Sequence, residues 1–132
     1  MMSSAPFQIQ KIKQLSIPVH ELDAAVAFYQ ENLGLPLLFR VPNMAFLDCD
    51  GIRILLSVPE TEKLDHPSSI VYFQVEDIDA SYQALLARDV HFIGKPHKIA
   101  EMNQIETWMV FFKDPDENVH ALTAEKPVSA KA

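Results

Sequence analysis

Residues 14–35 read QLSIPVHELDAAVAFYQENLGL, and this stretch decides the fold. Its first six residues alternate between polar and apolar side chains, which predicts a strand with one buried face. From Leu22 onward the apolar residues recur three or four positions apart, as they do on one face of a helix. Gly34 suits the end of that helix because glycine tolerates positive φ. The stretch therefore predicts a strand followed by an amphipathic helix.

The segments that follow the helix predict three more strands and then a second copy of the pattern. Three short apolar runs at 35–41, 44–50 and 52–57 read as strands. The polar segment 59–69 contains two prolines and has no periodicity, so we interpret it as a linker. Beyond it, IVYFQVEDIDASYQALLARDV (70–90) again places a strand before an amphipathic helix.

The two halves align with each other at two different offsets. A shift of 56 residues superimposes the strand and helix of each half, and a shift of 66 pairs Phe46 with Phe112 and Asp48 with Asp114. The difference implies a ten-residue insertion in the second half, which we place within 94–106. We therefore predict an α+β fold in which two βαβββ modules form a curved mixed sheet around a concave cleft.

This organisation corresponds to a single domain over residues 10–124. The first module covers about 10–58 and the second about 69–124, and we expect residues 125–132 to be a flexible tail. A chain of 132 residues is long enough for one compact core.

Composition narrows the classes of partner and compartment. Eleven Lys and Arg against eighteen Asp and Glu give a net charge of −7, which argues against nucleic acid as a partner. Cys49 is the single cysteine and cannot close an internal disulfide, so we expect a cytoplasmic protein. Residues 1–13 have no apolar core of a signal peptide, and no apolar run is long enough to span a bilayer. We expect a protein that is neither secreted nor membrane-embedded.

Three motifs carry a resemblance to a known family. They are VHELDAAVAFYQENLGL (19–35), VEDIDASYQALLARDV (75–90) and FFKDPDENVHAL (111–122). With them the chain resembles the vicinal oxygen chelate superfamily, which comprises glyoxalases, bleomycin-resistance proteins and extradiol dioxygenases. The resemblance implies the βαβββ-βαβββ fold and a homodimer.

The resemblance also implies where a metal would bind. Enzymes of that superfamily commonly hold a divalent cation through His, Gln or Glu side chains on four strands, and the matching positions here are Gln14, Leu55, Ile70 and Ala121. Three of these side chains are hydrocarbon, and one neutral amide cannot hold a transition metal against water. We therefore expect no metal at the usual site and no cofactor.

Strand alternation assigns several other side chains to the cleft. The candidate ligand-binding residues are Gln14, Arg53, Tyr72, Glu106 and Trp108. Such a lining, aromatic with a few polar groups, suits a small aromatic or amphipathic molecule. The alternative interpretations are core or dimer-interface packing for the two rings, and solvated surface positions for Arg53 and Glu106.

Three hypotheses for function follow. The preferred one is a metal-independent binding protein similar to the bleomycin-resistance branch, active as a homodimer. The alternative is a lyase, isomerase or dioxygenase that uses His97, Glu106 and Gln14 in a rearranged site. A third is a structural dimer whose cleft is filled by Trp108 and Phe112. The identity of the ligand, and whether the modules pair within a chain or across a dimer, stay open at this point.

Overall fold

The computed structural model describes residues 7–128, and within them the predicted order of elements is confirmed. The first module consists of β1 (Gln14–Pro18), α1 (Leu22–Val26) with a π-helical continuation (Ala27–Asn32), β2 (Leu37–Val41), β3 (Met44–Cys49) and β4 (Ile52–Ser57). The second consists of β5 (Tyr72–Gln74), α2 (Ile78–Leu86), β6 (His91–Met102), β7 (Ile105–Lys113) and β8 (Val119–Pro127). The linker contains one short 3-10 turn, Glu62–Leu64. No helix within 7–128 is long and apolar enough to cross a membrane.

Each module forms a four-stranded mixed sheet of the same topology. The strand orders are β1-β4-β3-β2 and β5-β8-β7-β6. In each sheet the first strand pairs in parallel with the last, and the other pairs are antiparallel. The predicted α+β fold of two βαβββ modules is confirmed, with the difference that no strand pairing joins the two sheets within 7–128.

The two sheets turn one face each toward a single hydrophobic core. Ile17 and Leu56 of the first module and Phe112 of the second are fully buried in it. Phe28, in the π-helical continuation of α1 in the first module, lies against Phe112 with 6.2 Å between ring centres. The core is therefore continuous across the two modules, and we call the opposite side of each sheet its open face.

The hairpin β6–β7 contains the insertion that the sequence predicted. Its strands are 12 and 9 residues long, against 5 and 6 for the corresponding strands β2 and β3. Asn103 and Gln104 form its turn, both with positive φ, as a two-residue hairpin turn requires. Most of the ten-residue insertion expected within 94–106 thus extends a hairpin and does not fold as a loop.

The longer hairpin also changes the end of the chain. We expected a flexible tail from Glu125, but β8 continues to Pro127, and Glu125 and Pro127 pair with Thr107 and Ile105 of β7. The extended β7 supplies the partner that keeps these residues in the sheet. Residues 129–132 lie outside the described part of the chain.

Candidate ligand-binding site

Arg53 lies on the open face of the first sheet, next to Gln14 of β1 in the parallel register. Its guanidinium carbon is 6.0 Å from the centre of the Phe46 ring, at the outer limit of a cation–π contact. The Arg53 Nε is buried and has no hydrogen-bond acceptor within residues 7–128. A buried donor without an acceptor costs about 1–3 kcal/mol, so the chain itself leaves part of this guanidinium unsatisfied.

An aromatic platform lies beside this cation. The rings of Phe39 and Phe46 stack at 4.4 Å with 21° between their planes, and Phe39 is about half exposed. Neither ring was predicted as part of the site, although the sequence contained a signal. Asp50 and Gly51 form a two-residue turn with positive φ at both positions, which fixes the register of β3 against β4 and puts Phe46 opposite Leu55.

A cavity of about 360 Å³ opens near the same face, at the ends of β1 and β4. Ser16 and Ser57 form its floor, and the linker residues Pro59, Leu64 and His66 form a wall. Arg53 lies outside this lining. The linker therefore takes part in shaping the open face of the first sheet.

Tyr72 lies on the open face of the second sheet, as predicted from strand alternation. It is 52% exposed, pairs with Ala121 of β8, and meets the edge of the Phe111 ring at 6.4 Å. Gln14, Arg53 and Tyr72 thus all lie on open faces, the first two on one sheet and Tyr72 on the other.

Trp108 and Glu106 lie on the opposite side, and their assignment to the cleft was wrong. Trp108 packs against the buried core, with Lys126 Nζ 4.2 Å from its ring centre. Its Nε1 donates to Glu106 Oε1 at 2.8 Å. Lys126 also lies 3.7 Å from Asp79 of α2. These side chains hold the hairpin against the helix side of the sheet, and Phe112, proposed to fill the cleft, is in the core.

Trp108 and Glu106 were assigned to the wrong face because the β7–β8 turn contains one residue more than the corresponding β3–β4 turn. The pairs Asp48–Arg53 and Lys113–Val119 occupy equivalent places in the two modules. Four residues separate the first pair, 49–52, and five separate the second, 114–118. An offset of 66 residues therefore relates β4 to β8, whereas an offset of 65 residues relates β3 to β7. The counterpart of Phe46 is therefore Phe111. A slip of one residue moves every side chain of a strand to the other face.

His97 and Glu106, the pair of the rearranged-site hypothesis, do not meet. The His97 ring contacts the carbonyl oxygen of Lys95 at 3.0 Å, and His97 pairs with Met109 on β7. Glu106 instead contacts Trp108 and lies 3.7 Å from Lys98. Within residues 7–128 no cluster of three or more His, Cys, Asp or Glu side chains is arranged to hold a metal.

The side chains at the four positions implied for a family metal do not fit one. Leu55 lies on the open face opposite Ser16, and Ala121 lies opposite Tyr72. Ile70 precedes β5 and is 47% exposed. Gln14 is the one side chain of the four with a donor atom, and one neutral amide is not a binding site for a divalent cation.

A buried polar cluster joins the two modules, and sequence reasoning did not predict it. We call it the seam cluster; it consists of Tyr29, Asp114, Asn118 and His120. The Tyr29 hydroxyl donates to Asp114 Oδ2 at 2.6 Å and lies 2.9 Å from His120 Nε2. Asn118 Nδ2 donates to the same Asp114 oxygen at 2.9 Å. Tyr29 lies in the π-helical continuation of α1, whereas the other three belong to the β7–β8 turn and to β8, so the cluster fastens one module to the other.

The hydrogen bonds of the cluster fix the protonation of its histidine. The Val71 N–H donates to His120 Nδ1 at 3.3 Å, so Nδ1 is the acceptor and Nε2 carries the proton that points to Tyr29. Burial lowers the pKa of His120, with Asp114 opposing that shift. Burial, followed by the charge of Asp114, raises the pKa of Tyr29. Both groups therefore stay neutral at physiological pH, which suits a structural role.

A second histidine cluster lies at the surface. His20, in the turn between β1 and α1, places Nε2 2.9 Å from Asp65 Oδ1 and Nδ1 3.1 Å from Asp116 Oδ1. The hydrogen bonds to Asp65 and then Asp116 raise the pKa of His20. Because Asp65 belongs to the linker and Asp116 to the β7–β8 turn, protonated His20 ties three separate segments together.

We expect His20→Gln to destabilise the protein more at pH 5.5 than at pH 9. Because the pKa of His20 is higher in the folded than in the unfolded chain, its contribution is complete below the unfolded value of about 6.5 and is lost as the pH rises through the folded value. The measurement is the difference in melting temperature between wild type and variant across this pH range. His66→Gln is the matched control, since the His66 ring contacts a carbonyl oxygen, that of Pro67. A difference for His20→Gln that does not change with pH would contradict the assignment.

This chain is similar to known proteins in both sequence and structure. Residues 11–122 match a family model described as the Glyoxalase/Bleomycin resistance protein/Dioxygenase superfamily. The uncharacterised protein YraH of Bacillus subtilis (strain 168) is 28% identical over 123 residues, covering 83% of this chain and 94% of YraH.

Two solved structures show the same fold at lower identity. A glyoxalase/bleomycin resistance protein/dioxygenase from Alicyclobacillus acidocaldarius has a TM-score of 0.69 and 23% identity, covering 86% of this chain and 90% of that one. A lactoylglutathione lyase from Agrobacterium tumefaciens has a TM-score of 0.68 and 21% identity, covering 88% of this chain and 94% of that one.

Proposed function

The chain belongs to the glyoxalase/bleomycin resistance protein/dioxygenase superfamily, and from that premise we propose that it binds a small aromatic or amphipathic anion on the open face of its first sheet. Arg53 is the main polar contact in this proposal, and Gln14 is its neighbour. The observation that carries the proposal is the Arg53 guanidinium on this face, which lies beside the stacked Phe39 and Phe46 rings and has no carboxylate partner within residues 7–128.

The groups around Arg53 support this class of ligand. The stacked rings of Phe39 and Phe46 offer a flat apolar surface next to the guanidinium. Within 7–128 no ion pair joins Arg53 to a carboxylate, so the positive charge is available to a bound anion. A planar ring with one acidic substituent matches both features, because the ring can stack while the acid accepts from Arg53.

We propose that binding needs no metal. The support is the donor chemistry of the four positions discussed above, where leucine, isoleucine and alanine stand in place of ligating side chains. Ligand orientation then depends on hydrogen bonds and ring packing, which is the mode of a binding protein.

We also propose that the protein acts as a homodimer whose open faces cover one another. Tyr72, Phe39 and Val41 are 52%, 48% and 41% exposed on these faces. Exposed apolar patches of this kind mark interaction surfaces in soluble proteins. Tyr72 of the second sheet would then come to the ligand from the dimer interface, completing an aromatic lining.

The single cysteine and the net negative charge support two more general proposals, one for location and one for the class of partner. We propose a cytoplasmic location, because Cys49 has no second cysteine to pair with. The net charge of −7 supports a small molecule over nucleic acid as the partner.

Arg53→Gln tests the proposed site, with naphthalene-2-sulfonate as the probe. We expect the variant to bind this aromatic anion at least about tenfold more weakly than wild type, since a hydrogen bond to a charged group contributes about 1.5–3 kcal/mol. Isothermal titration calorimetry on the full chain gives the affinities. The same experiment gives the binding enthalpies. A more favourable enthalpy in wild type than in Arg53→Gln reports on the same contact.

Arg40→Gln is the control for loss of charge alone. Arg40 is also a strand arginine, but it pairs with Asp23 of α1 at 2.8 Å and is on the helix side. We expect its affinity for the probe to match wild type. Equal weakening in the two variants, or unchanged binding by Arg53→Gln, would reject the site.

A further inference from the structure

A second cavity lies at the seam between the modules, away from Arg53. It has a volume of about 280 Å³ and lies between the end of the α1 segment, the end of β3 and the helix α2. Its wall is mostly apolar, with Leu33, Val75, Leu85 and Leu122 contributed by both modules. Taking about 30 Å³ per water molecule in the liquid, it holds about nine non-hydrogen atoms.

Arg88, near the end of α2, stands at the rim of this cavity and is held in place by the other module. Its Nη1 donates to the carbonyl oxygens of Glu31 at 3.2 Å and Asn32 at 2.8 Å. In return, Asn32 Nδ2 donates to the Arg88 carbonyl oxygen at 3.3 Å. These bonds satisfy carbonyl groups at the end of the first helix and fix the guanidinium at the cavity mouth.

The remaining donors of Arg88 are unused. Within residues 7–128 neither its Nε nor its Nη2 donates a hydrogen bond, and no carboxylate forms an ion pair with it. The residues that line the cavity include no Asp or Glu. The crevice therefore combines an apolar interior with one fixed positive charge at its rim, in a protein whose net charge is −7.

We propose that this seam crevice is a second binding site, for a small monocarboxylate with a short hydrocarbon tail. The tail lies against Leu33, Leu85 and Leu122, and the carboxylate accepts from the free edge of Arg88. The site is separate from the open face and does not depend on the function proposed for Arg53. Because Arg88 and Asn32 connect the two modules, a carboxylate bound to Arg88 also stabilises the association of the modules.

Cys49 supplies the readout, since it lines the crevice and is the chain's single cysteine. Burial raises the pKa of its thiol, so the reaction is followed at pH 8.5 with the uncharged reagent N-ethylmaleimide. We expect octanoate to slow the modification of Cys49. Octan-1-ol, which has the same tail and no carboxylate, should need about three- to tenfold higher concentration for the same protection.

Two variants test the role of Arg88. Arg88→Gln should remove the advantage of octanoate over octan-1-ol, whereas Arg40→Gln, at an arginine that pairs with Asp23 outside the crevice, should keep it. Equal protection by octanoate in wild type and Arg88→Gln would overturn the proposal. So would an absence of protection in wild type.

A third variant keeps the test valid if Arg88→Gln weakens the fold. Ala84→Leu adds a larger side chain to the crevice wall at an exposed position of α2, and leucine is nearly as good a helix former as alanine. We expect it to fold normally and to lose the chemical-shift changes that octanoate causes in the methyl signals of Leu33, Val75, Leu85 and Leu122, which line the crevice. Retention of those changes in Ala84→Leu would place octanoate outside the crevice.

Discussion

Replacing Phe112 by alanine is expected to lower the free energy of unfolding by about 3–5 kcal/mol. The ring is fully buried, with Phe28, Phe73, Phe92 and His120 at centre-to-centre distances of 6.2, 6.4, 5.9 and 5.9 Å. These neighbours come from both modules, so the truncation leaves a cavity in the middle of the shared core. Urea denaturation followed by circular dichroism gives the change.

Phe111→Ala is the matched control, one residue away on the same strand. Phe111 lies on the open face and meets the edge of Tyr72, and its ring is partly exposed. We expect it to lose less than half as much stability as Phe112→Ala. Equal losses, or a larger loss for Phe111→Ala, would contradict the register of β7 described here.

Asp114→Ala is expected to have an effect of similar size, about 3–5 kcal/mol, because it leaves several buried donors without an acceptor, each at a cost of about 1–3 kcal/mol. Its carboxylate accepts from the Tyr29 hydroxyl and Asn118 Nδ2 on one oxygen, and from the backbone N–H groups of Asp116 and Asn118 on the other. Without it, the Tyr29 hydroxyl and the turn amides lose their acceptor in a buried place.

The control is Asp79→Ala, an exposed carboxylate in the first turn of α2. Its ion pair with Lys126 is 3.7 Å long, and the substitution should cost less than about 1 kcal/mol. Asp114→Asn retains an acceptor oxygen and should fall between the two. If Asp114→Ala unfolds at the same urea concentration as Asp79→Ala, the seam cluster does not fasten the modules.

The order of strands and helices could be predicted because periodicity and turn residues are local properties. The alternation over Gln14–Pro18, the helical spacing that begins at Leu22 and the positive φ of Gly34 each appear in the structure as expected. The family motifs added the pairing of strands into two modules, which local patterns alone do not determine.

The repeat did not predict which side chains of β7 point to the core. For this reason two of the five candidate site residues were assigned to the wrong face of the sheet. The turn 114–118 is one residue longer than its counterpart, and that residue transfers Trp108 and Glu106 from the open face to the helix side. His120 offered a clue. It packs toward the helices, and its cross-strand partner Phe112 must lie on the same face of the sheet.

The seam cluster escaped prediction for a different reason. Tyr29 and Asp114 are 85 positions apart, and nothing local to either one signals a contact over that distance. Their motifs, Phe-Tyr on the first helix and Asp-Pro-Asp before the last strand, marked family membership but not that the two meet. Long-range polar contacts of this kind depend on the packing of complete modules.

The continuous core has a consequence for the history of the chain. Separating the halves would expose the Phe28 and Phe112 rings and leave Tyr29 without its carboxylate, so each half depends on the other for its core. An ancestor with one module would have needed two identical copies meeting at this seam. Modules joined in one chain can change separately, and the β6–β7 hairpin, which is longer than its counterpart β2–β3, shows that the two have diverged.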